Sequence, residues 1–123
     1  MPKPKRTGVF VFHGPQEGIH RLPSGPLWQP AADIYRTPEG WKIKLDLAGV
    51  NPEDLEVLVA DDKLIVRGVR RDSFIDKGWS YYQLEITYSR FERVLQIPCQ
   101  LGKAEVRSEC SNGWLVLHVL CKD

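Results

Sequence analysis

Asn112-Gly113 separates a mostly polar run, Glu105–Ser111, from an apolar one, Trp114–Leu120, and no other dipeptide in the chain restricts the fold as strongly. Asn-Gly is the favoured sequence of the type I′ turn, whose twist suits a two-residue β-hairpin. Closing the chain there sets Cys110 opposite Leu115, Ser108 opposite Leu117 and Val106 opposite Val119, with Arg107 opposite His118. A second hairpin, turned at Asp61-Asp62, sets Val59 against Leu64, Val57 against Val66 and Glu56 against Arg67. Each of these last pairs matches in character, as cross-strand neighbours must. Antiparallel pairing is thus predicted at two separate places in the chain.

The remaining pattern agrees. From Ala32 onward apolar residues alternate with polar ones between turn signals, the period of strands rather than helices. Asp33–Thr37 is a short strand, Pro38-Glu39-Gly40 a turn, and the next strand sets Trp41, Ile43, Leu45 and Leu47 on one face with charges on the other. Asn51-Pro52-Glu53-Asp54 combines an N-cap residue, a proline at the first helical position and early acids, which predicts one helical turn. Residues 70–88 form a long connection of the kind that is usually functional. Its second half, Tyr82–Tyr88, alternates well enough to be a strand, and it is expected to pair outside its own sheet. At least seven short strands without an ordinary helix predict an all-β, antiparallel β-sandwich over residues 31–123. Residues 1–30 hold most of the nine prolines and read as a flexible arm. Within that arm Val9-Phe10-Val11-Phe12 is β-prone and is expected to dock somewhere.

Composition excludes several function classes. A chain of 123 residues supports one core. A formal net charge of +1 supplies no field to draw in nucleic acid or an anionic membrane. Tyr81, Tyr82, Tyr88 and Phe91 with Arg90 and Arg93 have the makings of a base-stacking surface, yet the basic footprint such a surface needs is missing. The longest apolar run, Leu115–Val119, is interrupted by His118 and is far short of the roughly 20 residues of a membrane helix. The basic start, Met1–Arg6, is followed by an apolar run too short for a signal peptide, so a cytoplasmic location is expected.

Catalytic constellations are equally scarce. His13, His20 and His118 stand at no metal-ligand spacing, Gly102-Lys103 lacks the rest of a phosphate loop, and the acid pairs Glu53-Asp54 and Asp61-Asp62 suit turns. Cys99, Cys110 and Cys121 are odd in number with no Cys-x-x-Cys pair, so no disulfide framework or zinc site is expected and the three read as small apolar fillers. The hairpin register also keeps Cys110 away from Cys121. No enzyme, metal or cofactor is predicted, and a β-sandwich enzyme or carbohydrate binder would need a polar or metal cluster that the sequence lacks.

Several motifs in order carry a resemblance to a known family. Trp28-Gln29-Pro30 leads into Asp33-Ile34-Tyr35-Arg36-Thr37. Then come Asp46-Leu47-Ala48-Gly49-Val50, Glu53-Asp54-Leu55, Leu64-Ile65-Val66-Arg67-Gly68, Phe91–Pro98 and Asn112–Val119. From Trp28 to Leu120 the chain resembles the α-crystallin domain of bacterial small heat-shock proteins, with Ala48, Ser108 and Trp114 departing from the usual pattern.

That resemblance implies an immunoglobulin-like sandwich whose long loop carries a strand exchanged in a homodimer, Tyr82, Leu84, Glu85 and Ile86 pairing with Ile34, Tyr35 and Arg36 of a second copy by β-augmentation. Arg93 matches a family arginine near the dimer interface and is expected to pair with an acid of the partner's loop. The chain stops at Asp123 without the family's Ile-x-Ile tail, which implies a small assembly, a dimer, enlarged if at all through the arm. The groove that receives such a tail would lie along Leu55, Val57 and Val59 and along Val106 and Ser108, with Val9, Phe10, Val11 and Phe12 as its resting occupant. The activity implied is that of an ATP-independent holdase for unfolding client proteins. The rival is a CS-type co-chaperone or adaptor that docks folded partners, a fold without the dimerising strand.

Overall fold

The computed structural model describes residues 6–7, 11–13, 28–74 and 76–121. Their strands are β1 (Arg6–Thr7), β2 (Val11–His13), β3 (Ala32–Thr37), β4 (Gly40–Asp46), β5 (Leu55–Ala60), β6 (Lys63–Val69), β7 (Arg90–Gln96), β8 (Glu105–Ser111) and β9 (Trp114–Leu120). They form two sheets, in the orders β1-β8-β9-β4-β3 and β2-β5-β6-β7. Every named pair is antiparallel except β2 with β5. No helix among the described residues is long and apolar enough to cross a membrane.

Both hairpins take the register read from the sequence. In the last, Cys110 pairs with Leu115 and Arg107 with His118, and the turn places Asn112 and Gly113 at φ 53° and 82°. Positive φ at both central residues is what a type I′ turn demands. In the other, Val57 pairs with Val66 and Glu56 with Arg67, whose guanidinium reaches the Glu56 carboxylate at 3.1 Å. The helical turn is a 3₁₀ turn over Pro52–Asp54, and the Asn51 side chain accepts from the Glu53 N–H at 3.0 Å.

Alternation builds the core directly. Ile43 and Leu45 of β4 and Leu115, Leu117 and Val119 of β9 face Val57, Val59, Leu64, Val66 and Phe91 of the other sheet, while Ile97 and Leu101 belong to the same cluster. Gly68 is required by a close approach, since a Cβ there would sit 2.1 Å from the Asp54 carbonyl oxygen and 2.9 Å from the Phe91 ring.

The cysteines correct the sequence reading. Cys99 and Cys121 form a disulfide, and Cys110 takes no part in it. Spacing along the chain says nothing of this, because the pair is made by topology. Cys99 follows β7 beside the Asp61-Asp62 turn, where Ile97 N–H donates to Asp62 O at 2.8 Å, and Cys121 follows β9, its N–H donating to Glu39 O at 3.2 Å. Stacking the sheets leaves the two Cα atoms 6.2 Å apart, within disulfide reach. The bond ties one sheet to the other at the end that holds both of those turns.

Candidate functional site

A sandwich of this kind has two long sides along which the sheet edges run, and the candidate residues divide between them. On the first side β5 and β8 are bordered by the arm. Arg6 and Thr7 pair antiparallel with Cys110 and Glu109 of β8, and Val11, Phe12 and His13 pair in parallel with Val57, Leu58 and Val59 of β5. One short stretch of chain therefore extends both sheets. Val9 and Phe10 lie outside the described residues.

The side chains named for a groove here are placed as follows. Leu55, Val57 and Val59 are buried in the common core, with exposures of 6%, 0% and 1%. Val106 packs against that core half-buried, and Ser108, opposite Leu117, shares its face of β8. These residues are the floor between the sheets, and the attachment surface is the backbone edge above them. On the outward face of the second sheet, Leu58 pairs with Ile65 as a small separate cluster, and register continues the row to Val94.

On the second side β3 is the edge of one sheet and β7 of the other. Ile34 and Tyr35 of β3 are 43% and 45% exposed, and Arg36 lies over the Trp41 ring at 5.3 Å. Tyr82, Leu84 and Ile86 stand on the long loop with exposures of 100%, 63% and 64%, and Glu85 is exposed beside them. Between Val69 and Arg90 the described chain forms no strand, so the single chain does not bring Tyr82–Ile86 and Ile34–Arg36 together as a ladder. Arg93 donates to Pro30 O at 2.7 Å, which uses one of its five N–H donors.

Sequence reasoning missed a cluster at the base of this loop. Trp28 packs edge-on against Phe91 at 5.5 Å between ring centroids and donates its backbone N–H to Arg90 O at 3.0 Å. The Arg70 guanidinium lies over the Trp28 ring, 3.8 Å from its centroid. Only the position of these residues at either end of segments flagged as irregular hinted at it.

Among the described residues no group of three or more His, Cys, Asp and Glu side chains is placed to hold a metal ion. His118 and Glu109 meet at 3.2 Å on the outward face of the first sheet, a cross-strand pair rather than a converging set. What both sides present is backbone at sheet edges, paired on the first side with residues 6–7 and 11–13.

The Hsp20/alpha crystallin family model matches residues 33–122. The chain belongs to that family. Among its relatives are small heat shock protein C2 of Rickettsia felis, 24% identical over 90 residues covering 73% of this chain and 57% of that protein, and spore protein SP21 of Stigmatella aurantiaca, 30% identical over 92 residues covering 75% and 54%. The 22.7 kDa class IV heat shock protein of Pisum sativum is 30% identical over 126 residues, covering 100% of this chain and 62% of that protein. The chain thus spans little more than half the length of these curated relatives. Solved structures of the same fold include heat shock protein 16.0 from Schizosaccharomyces pombe, with TM-score 0.69 at 21% identity over 78% of this chain and 89% of that one. A small heat-shock protein from Xylella fastidiosa gives TM-score 0.66 at 24% identity over 80% and 90%.

Proposed function

We propose that the chain is an ATP-independent holdase that binds exposed segments of unfolding proteins along the β5/β8 side and so keeps them from aggregating. The observation that carries this reading is the pairing of residues 6–7 and 11–13 with β8 and β5. That side takes up extended chain by backbone hydrogen bonds, a mode that accepts many sequences. The arm is then a resting occupant that clients replace. Mass action is enough to protect, because whatever binds the unfolded state lowers its free concentration and aggregation rises steeply with that concentration. Family membership and the heat-shock names of its relatives support the same reading.

The working unit in this proposal is a homodimer. Tyr82–Ile86 of each copy adds to the β3 edge of the other, covering Ile34 and Tyr35 there, with Arg93 turning spare donors toward an acid of the partner's loop. Exposed aromatic and aliphatic residues on the loop and on the receiving edge are the observation behind it.

The test is light scattering from a heat-unfolded model client without ATP, using the full chain and a chain lacking residues 1–14. Suppression that saturates near stoichiometric ratios is expected, reached at lower ratios when the arm is absent. No suppression at large excess overturns the holdase reading and directs the search to one folded partner, the adaptor case. Unchanged client binding and assembly size without the arm overturn the arm's role.

A further inference from the structure

Arg70 stands one residue past β6, where the long loop leaves the sheet. Its backbone N–H donates to Ser89 O at 3.0 Å, which continues the β6–β7 ladder one step beyond the Val69–Arg90 pair. Its guanidinium then does three things at once. Nε and Nη2 donate to Thr87 O at 2.8 and 2.6 Å, Nη1 donates to Ala48 O at 3.2 Å, and Cζ lies 3.8 Å from the Trp28 ring centroid and 5.8 Å from that of Tyr88. One side chain at the loop's entrance thus grips its exit, the turn after β4, and the last residues of the arm. Trp28 is itself fixed against Phe91, which is fully buried.

Such a cluster is more than loop packing. The β6–β7 ladder already closes this loop, and the guanidinium carries the order further, to Thr87 within the loop and to Ala48 and Trp28 outside it; order present before pairing with another chain appears directly as affinity. The chemistry also requires arginine. A planar fork can donate to one carbonyl through two N–H groups while its face lies on an aromatic ring, whereas a lysine ammonium keeps the charge and loses both the fork and the stack.

We propose that Arg70 is a positioning residue for self-association: it latches the root of the arm at Trp28 to both ends of the 71–88 loop, so that Tyr82–Ile86 is presented ready to pair with a second copy of the chain. This rests on the dimer reading above, and it adds that the arm's root and the dimerising loop share one hub. Loosening one loosens the other.

The experiment uses the full chain as wild type, Arg70→Lys, Arg70→Ala, Trp28→Ala and the Arg70→Ala/Trp28→Ala double variant. Sedimentation velocity over a concentration series gives the dimer dissociation constant, and amide exchange gives protection residue by residue. Arg70→Lys is expected to weaken the dimer about tenfold and Arg70→Ala more, with faster exchange at residues 84–89 and unchanged exchange in the 55–69 hairpin. The double variant is expected to be little worse than Arg70→Ala alone, because both remove the same hub. A folded Arg70→Lys chain with wild-type dimer affinity and wild-type exchange at the loop ends overturns the proposal, since a merely stabilising residue would lower the melting temperature and leave both unchanged. If wild type is monomeric at every concentration, the dimer reading fails by itself. Loop-end exchange then judges the latch separately: acceleration in Arg70→Lys supports it and no change overturns it.

Discussion

The two long sides of the sandwich receive opposite treatment from the same chain. Along β5 and β8 the edges are extended by the chain's own residues 6–7 and 11–13. Along β3 the edge carries Ile34 and Tyr35 in the open, beside a loop whose Tyr82 is fully exposed. Unpaired edges invite pairing with other chains, and proteins commonly cover or charge them. In the function proposed above, the covered side serves changing partners that replace the arm, and the uncovered side, with matching apolar residues nearby, serves one fixed partner, a second copy.

The largest test of this contrast removes the staple that holds the sheets in place beneath both sides. Cys99→Ser with Cys121→Ser, or reduction by a dithiol, is expected to lower stability by about 3 kcal/mol, read as the shift in a urea unfolding midpoint, from the entropy of opening a loop of this length. Next in size is Leu84→Asp, which places a charge in the proposed exchanged strand. It is expected to raise the dimer dissociation constant about a hundredfold, some 2.7 kcal/mol, while leaving the melting temperature of the monomer unchanged. An unchanged sedimentation profile would remove the distinction between the sides.

The covered side is sharpened by Cys110, whose backbone pairs with Arg6. Deleting residues 1–14 is expected to speed alkylation of this thiol about tenfold, as a local opening free energy near 1.4 kcal/mol is lost. The smallest effect belongs to Arg67→Ala. Its ion pair with Glu56 crosses the middle of β5 and β6 but is partly exposed, so removal is expected to cost about 0.5 kcal/mol by denaturant titration and to leave dimerisation alone.

What the sequence made legible follows the range of the interactions. The hairpins of β5–β6 and β8–β9 could be placed residue by residue because a turn of two residues fixes register and neighbouring side chains then confirm it. The Asn51 cap is legible for the same reason, being settled within three residues. Long-range features were not. That Cys99 meets Cys121 depends on how two sheets stack, and no spacing along the chain encodes it. The family resemblance named the β5 edge for the arm, but the parallel register of Val11–His13 there is hidden, since a short β-prone run carries no mark of its direction or alignment. Alternation in Tyr82–Tyr88 is a property that needs a partner edge before it becomes a strand, and the single chain supplies none. Arg70 escaped notice because a lone arginine beside a loop is ordinary until Trp28, Ala48 and Thr87 are brought around it.

The arm's attachment to two sheets at once has a consequence for competition. Residues 6–7 and 11–13 act as a chelating ligand with two teeth on a short tether, so when one tooth lets go the other keeps it at high effective concentration near its seat. A rival strand that touches β5 alone must outlast continual rebinding. On the holdase reading, a rival long enough to occupy β5 and β8 together would displace both teeth in one event, and the reach of an unfolded segment, more than its sequence, would be the property this side selects.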